Sequence, residues 1–178
     1  MTDVFQTHCE MAKKALLRDG ELLPVFFGYK SNGEMLILPL MMMGNTFEKQ
    51  QESKRQILEV FAFMFHCEQV ESYTLTHEAW YLVRESLEDR NKIQGSFEHV
   101  PDRREALVIG HITRKGKKMK MYEIVRKNNE IELKDTGMDN GEYSGEFTNL
   151  LEKYTTYPTE FELQMYEKLK SKYEMGKA

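Results

Sequence analysis

The chain has 178 residues, 40% of them hydrophobic and 30% charged, with a formal net charge of −4. That is the size and composition of one globular domain, and it excludes disordered and fibrous chains. Two cysteines, Cys9 and Cys67, are too few for a disulfide framework; the longest apolar run, Leu36 to Met43, contains Pro39 and is far below the roughly 20 residues that cross a bilayer; and Asp3 puts an acid where an export signal carries bases, so a cytoplasmic protein with no membrane segment is expected.

The first helix is predicted from an N-cap at Thr2 to Arg18, with Gly20 as its stop and an apolar stripe of Phe5, Cys9, Ala12 and Leu16 flanked by His8. Asn32-Gly33 suits a tight type I′ turn and predicts a hairpin between Leu23–Tyr29 and Met35–Leu40. Asn45 with Glu48 three residues on opens a central helix to about His66, polar at first and apolar on every side in its second half. From Val70 to Val83, β-branched and aromatic residues predict a long strand with Tyr73, Leu75, His77, Ala79 and Tyr81 on one face and Thr74, Thr76, Glu78 and Trp80 on the other.

A polar connection from Glu85 to Arg104 follows, long enough for a functional loop. Then Glu105–Thr113 and Lys118–Arg126 pair about Lys115-Gly116, and Asn128-Asn129 turns into Glu130–Leu133. The tail reads as two helices: a short one at Phe147, Leu150 and Leu151, and one opened by the capping pair Thr159 and Glu162, with a docking stripe of Phe161, Met165 and Leu169 beside Tyr166 and Tyr173. Tight turns between consecutive strands predict the α+β class: a largely antiparallel sheet of about six hairpin-built strands, with an N-terminal helix, a central helix and two C-terminal helices packed on it, shielding one side.

Charge is concentrated. Residues 1–113 carry a net −5 and residues 128–178 a net −5, whereas residues 114–127 carry +6. This basic finger holds Arg114, Lys115, Lys117, Lys118 and Lys120, and is either a solvated hairpin guarded against edge pairing or a contact for phosphate or an acidic protein surface. The acidic remainder disfavours nucleic acid, which ranks last among the partners. Trp80, among polar neighbours, is an interface candidate.

Catalytic chemistry has one candidate set: His77, Glu105 and His111, provided two neighbouring strands turn them into one cavity as general acid and base. The pairs His8-Cys9 and His66-Cys67 imitate metal ligands, but adjacent helical residues point about 100° apart, so buried and satisfied side chains are expected and no metal. Asp135, Asp139 and Glu146 fall on positions 1, 5 and 12 of a calcium loop, yet Gly137 removes a ligand and Asn140 replaces the turn glycine, leaving an acidic surface loop. No phosphate-binding glycine loop or nucleophile elbow occurs, and no cofactor is expected.

Arg18-Asp19-Gly20-Glu21, Glu78-Ala79-Trp80 and Pro101-Asp102-Arg103-Arg104-Glu105-Ala106-Leu107 together resemble a recurrent pattern in small bacterial and phage proteins. The resemblance covers roughly residues 12–113 and implies a bacterial or phage cytoplasm, with no activity attached. Read physically, Asp102 to Glu105 is an ion-paired strand start, or else Arg103 and Arg104 form an anion-binding pair. The leading expectation is a non-enzymatic binding protein with a protein partner, an accessory or inhibitor protein of a phage or mobile element. A hydrolase or transferase is the alternative, and self-association stays open.

Overall fold

Helix α1 (Val4–Asp19) begins where Asp3, not Thr2, caps it: the Asp3 carboxylate accepts a hydrogen bond from the Phe5 N–H at 3.0 Å. It ends at Gly20, whose φ of 83° lets its N–H reach back to the Leu16 carbonyl at 2.9 Å. The computed structural model describes residues 3–41, 47–81, 102–128, 130–138 and 146–173. The expected helix start at Asn45, the calcium-like positions 139–145 and nearly all of the polar connection lie outside those residues.

Strands β1 (Val25–Lys30) and β2 (Met35–Pro39) form the first hairpin. Its loop differs from the expected two-residue turn: only Gly33 takes a positive φ, 85°, and Lys30 bonds both Gly33 and Glu34, making a three-residue loop with the glycine in the bulge position. Helix α2 (Phe47–Cys67) follows and leads directly into β3 (Val70–Tyr81). β4 (Arg104–Thr113), β5 (Gly116–Lys127) and β6 (Glu130–Asp135) make the meander. The β4–β5 loop is Arg114-Lys115, one residue earlier than the expected Lys115-Gly116: the Thr113 hydroxyl accepts from the N–H groups of Lys115 and Gly116, which fixes a two-residue loop without positive φ.

The tail differs from the expected pair of helices. Residues Glu146–Thr148 form a single 3₁₀ turn, and one helix, α3 (Glu160–Tyr173), follows. Its capping box forms as read: the Thr159 N–H donates to the Glu162 carboxylate at 2.7 Å and the Glu162 N–H to the Thr159 hydroxyl at 3.3 Å. The stripe it docks is rotated, however. Tyr166 is buried and Leu169 partly so, while Phe161 and Met165 face outward.

The sheet is wholly antiparallel, in the order β2-β1-β3-β4-β5-β6, so β3 lies against β1 across the excursion through α2. Both its faces are covered, which corrects the expectation of helices on one side only. On one face α2 and the C-terminal segment bury Phe26, Phe61, Phe65, Tyr73, Leu75, Ile112 and Leu150. Gly28 permits the close approach there, since a Cβ on it would stand 2.9 Å from the Phe65 ring. On the other face α1 lays Cys9, Ala12 and Leu16 on Leu107, Ile109, Tyr122 and Ile124. Thr74 and Thr76, expected on an open face, are buried beneath it.

Candidate functional site

The register separates the expected catalytic set. His77 pairs with Val108 and shares its face with Tyr73 and Leu75, whereas His111 pairs with Thr74 and lies with Glu105 on the α1 face. No cavity receives all three side chains, because the sheet stands between His77 and the other two. His77 bonds the Glu78 carbonyl at 3.1 Å and packs against Phe147; burial holds its imidazole below the ordinary range, that backbone bond works the other way, and Lys54 lowers it further. Glu105 belongs to a clamp. Arg126 bonds Glu105 at 2.8 and 2.9 Å, Glu78 at 2.8 Å and the Gly20 carbonyl at the end of α1. Arg126 keeps the Glu105 carboxyl low, while burial and then Glu105 push Glu78 up.

The basic finger is largely engaged by its own chain. Arg114 donates to the Leu151 carbonyl at 2.8 Å, Lys117 to the Asn149 side chain at 3.1 Å, and Lys120 pairs with Asp135 at 2.8 Å. Lys115 and Lys118 remain exposed, with no ion pair among the described residues. The two arginines at the start of β4 do not come together as an anion-binding pair either: Arg103 lies over the Trp80 ring, 4.3 Å from its centroid, and Arg104 faces Glu123 at 3.5 Å on the opposite side of the sheet. Trp80 remains 44% exposed.

The two His-Cys pairs sit on opposite faces of the sheet, His8-Cys9 under α1 and His66-Cys67 at the end of α2. All four residues are buried, but the histidines are not fully satisfied. His8 Nδ1 and His66 Nε2 find no hydrogen-bond partner among the described residues. His66 stacks on Tyr154, centroids 4.4 Å apart, and its Nε2 stops 3.6 Å from the Glu162 carboxylate. Burial pushes the Cys67 thiol up to about 11, and Glu162 and Glu68 add to it, so this thiol is not a nucleophile at neutral pH.

What the molecule does offer is a groove of about 360 Å³ where one end of the sheet meets the tail. The first hairpin brings Ser31, the end of α2 brings His66 and Gln69, the β4–β5 turn brings Arg114, and the stretch before α3 brings Thr155, Thr156 and Tyr157. Gln69 turns the chain out of α2 in the left-handed region, φ 55°, and lines the groove with Val70. Arg114, anchored on Leu151, reaches this wall as a fixed cation. Tyr157, 82% exposed, lines the groove; four residues on, Phe161 is 69% exposed, with Met165 one turn further along α3.

Tyr157 is absent from every stripe readable in the sequence because it precedes the helix, before Pro158. Phe161 is readable there, but as core. No family model, no curated protein and no solved structure matches this chain.

Proposed function

We propose that the chain works by binding another protein, and that the contact is the groove at the tail end of the sheet together with the exposed aromatics Tyr157 and Phe161 of the tail. The observation that carries the reading is the exposure of Tyr157, which lines that groove, and of Phe161 four residues further on: they are the most exposed large hydrophobic side chains among the described residues, at 82% and 69%, and large exposed aromatics are the residues from which contact hot spots are built. Arg114, rigid through its bond to Leu151, adds a fixed cation for an acidic group of the partner. The setting belongs to the proposal too: a bacterial or phage cytoplasm, and an accessory or inhibitor role, supported by the sequence pattern and by the lack of any described helix long and apolar enough to cross a membrane.

Binding is favoured over catalysis because His77, Glu105 and His111 have no common cavity. It is favoured over nucleic acid because three of the five finger cations already hold the protein's own chain, leaving Lys115 and Lys118 for phosphates. The test is co-purification from the native host with the wild-type chain and with the double substitution Tyr157→Ser, Phe161→Ser. A stoichiometric companion that falls at least about tenfold with the variant, as loss of a hot spot predicts, supports the reading. Equal recovery by both chains, or no companion with either, overturns it.

A further inference from the structure

Beneath the N-terminal half of α1 a short polar chain crosses three strands. The Tyr29 hydroxyl on β1 bonds His8 Nε2, and the Thr74 hydroxyl on β3 bonds His111 Nδ1 on β4 at 2.9 Å. Tyr29 and Thr74 are diagonal neighbours across the β1–β3 pairing, and the Tyr29 and His111 rings lie 6.4 Å apart, so the two bonded pairs form one polar chain of side chains beneath the helix. Apolar rings enclose it: Phe27 lies 4.5 Å from His8 and Phe5 6.3 Å from His111, centroid to centroid.

Only the His8 end needs a neutral ring, since His111 can donate from Nδ1 to the Thr74 hydroxyl whether neutral or charged. Burial, with Thr74 acting against it, keeps the Tyr29 hydroxyl protonated to about pH 12, so its proton is available to donate and His8 Nε2 accepts it. A proton on His8 turns that acceptor into a second donor, facing a hydroxyl, with Nδ1 already unpartnered. The surroundings offer little compensation. The charged groups facing His111 are Lys118 on β5, which opposes a second cation, and the helix cap Asp3, which favours one; His8 faces His111 itself, Tyr29 and Phe27. Lys13 is turned to Glu10 and Tyr122 and the Arg126 clamp lies at the far end of the helix, so neither offers a counter-charge.

We propose that α1 is a proton-operated latch: one proton on each of His8, which bonds the helix to Tyr29 on the sheet, and His111 beneath the helix start turns a neutral polar cluster into two like charges in a largely buried site, and the N-terminal half of α1 lifts from the sheet. Burial lowers both imidazoles in the seated state, His111 adding to the effect on His8 and Lys118 to that on His111, against Asp3. The lifted state therefore binds more protons, so seating is complete above the free histidine value of 6.5 and weakens as pH falls below it. Lifting uncovers part of the apolar surface that α1 covers on the sheet.

The experiment is hydrogen exchange by mass spectrometry on the full chain between pH 7.5 and 5.5, corrected for intrinsic exchange. The opening constant of peptides from residues 4–19 is expected to rise, by up to about tenfold per imidazole and about 100-fold for both, the limit for rings that stay neutral in the seated state, while α2 and the centre of β3 keep their protection. The double variant His8→Gln, His111→Gln should abolish the rise. If it does not fold, the wild-type midpoint decides: loss of α1 protection between pH 6.5 and 5.5 supports the latch. Loss only below pH 5, loss shared by the whole molecule, or the same rise in a folded double variant overturns it.

Discussion

The two faces of the sheet are fastened by opposite chemistry. On the α1 face the polar fastening is neutral at its N-terminal end and ionic only at the exposed Arg126 clamp, with a small apolar patch of Cys9, Ala12 and Leu16 between them. On the other face a larger aromatic core of Phe26, Phe61, Phe65 and Tyr73 is joined by an ionic node: Glu68 at the end of α2 takes hydrogen bonds from Lys30 on β1 and from Tyr166 and Lys170 on α3, the latter two at 2.6 and 3.1 Å. A neutral fastening fails by gaining protons near neutrality. An ionic one fails when its carboxylate is protonated, much lower on the pH scale, so one sheet carries one helix released by mild acid and another that resists it.

The comparison breaks most visibly in the core. Phe65→Ala empties a fully buried ring site against Tyr73 and Gly28 and should cost about 3–5 kcal/mol, whereas Leu16→Ala, under α1, should fall toward the lower end of the about 2–5 kcal/mol found for buried leucines. Urea denaturation of both variants measures it, and a larger loss at Leu16 would reverse the ranking of the two faces.

Next in size is Glu68→Gln. Burial alone would push this carboxyl up, but the bonds from Lys30, Tyr166 and Lys170 bring it down to about 2, below its ordinary 4.5. The native state thus binds its proton later than the unfolded chain, and the contribution is complete above pH 4.5 and lost as pH falls toward 2. We expect the variant to lose about 2–3 kcal/mol at pH 7 and to show a flatter acid profile in that window. An unchanged acid midpoint would remove the node from the account.

The smallest effect is Arg126→Met, about 1 kcal/mol because the clamp is partly solvent-exposed, and it should loosen the C-terminal turn of α1 without moving α3. Amide exchange of residues 15–22 reads it, and equal loosening of α3 would contradict the separation of the two faces.

Much of this was legible from neighbours in sequence. The glycine that ends α1, the turn glycine of the first hairpin, the Thr159–Glu162 box and the turn between β4 and β5 all act over two to five residues, and each lies where the residues around it require. Alternation along β3 is equally local, and it correctly put His77 opposite Trp80. It could not say which of those faces His111 would join, since that depends on pairing His111 with Thr74, 37 residues away. The candidate site was less legible: Arg114 and Phe161 are visible as residue types, but a cation spent on the Leu151 carbonyl and an aromatic turned away from the core look the same in sequence as a free cation and a core ring.

By itself, then, the sequence determined most of the elements and the antiparallel class, because caps, turns and periodicity are written in short-range sterics and hydrogen bonding. Only the tertiary structure decided that β3 lies between β1 and β4, that both faces are covered, and which histidines meet. Those outcomes come from long-range burial, in which a strand covered on both sides no longer marks in from out, and a long charged side chain takes whichever partner the fold brings within its reach.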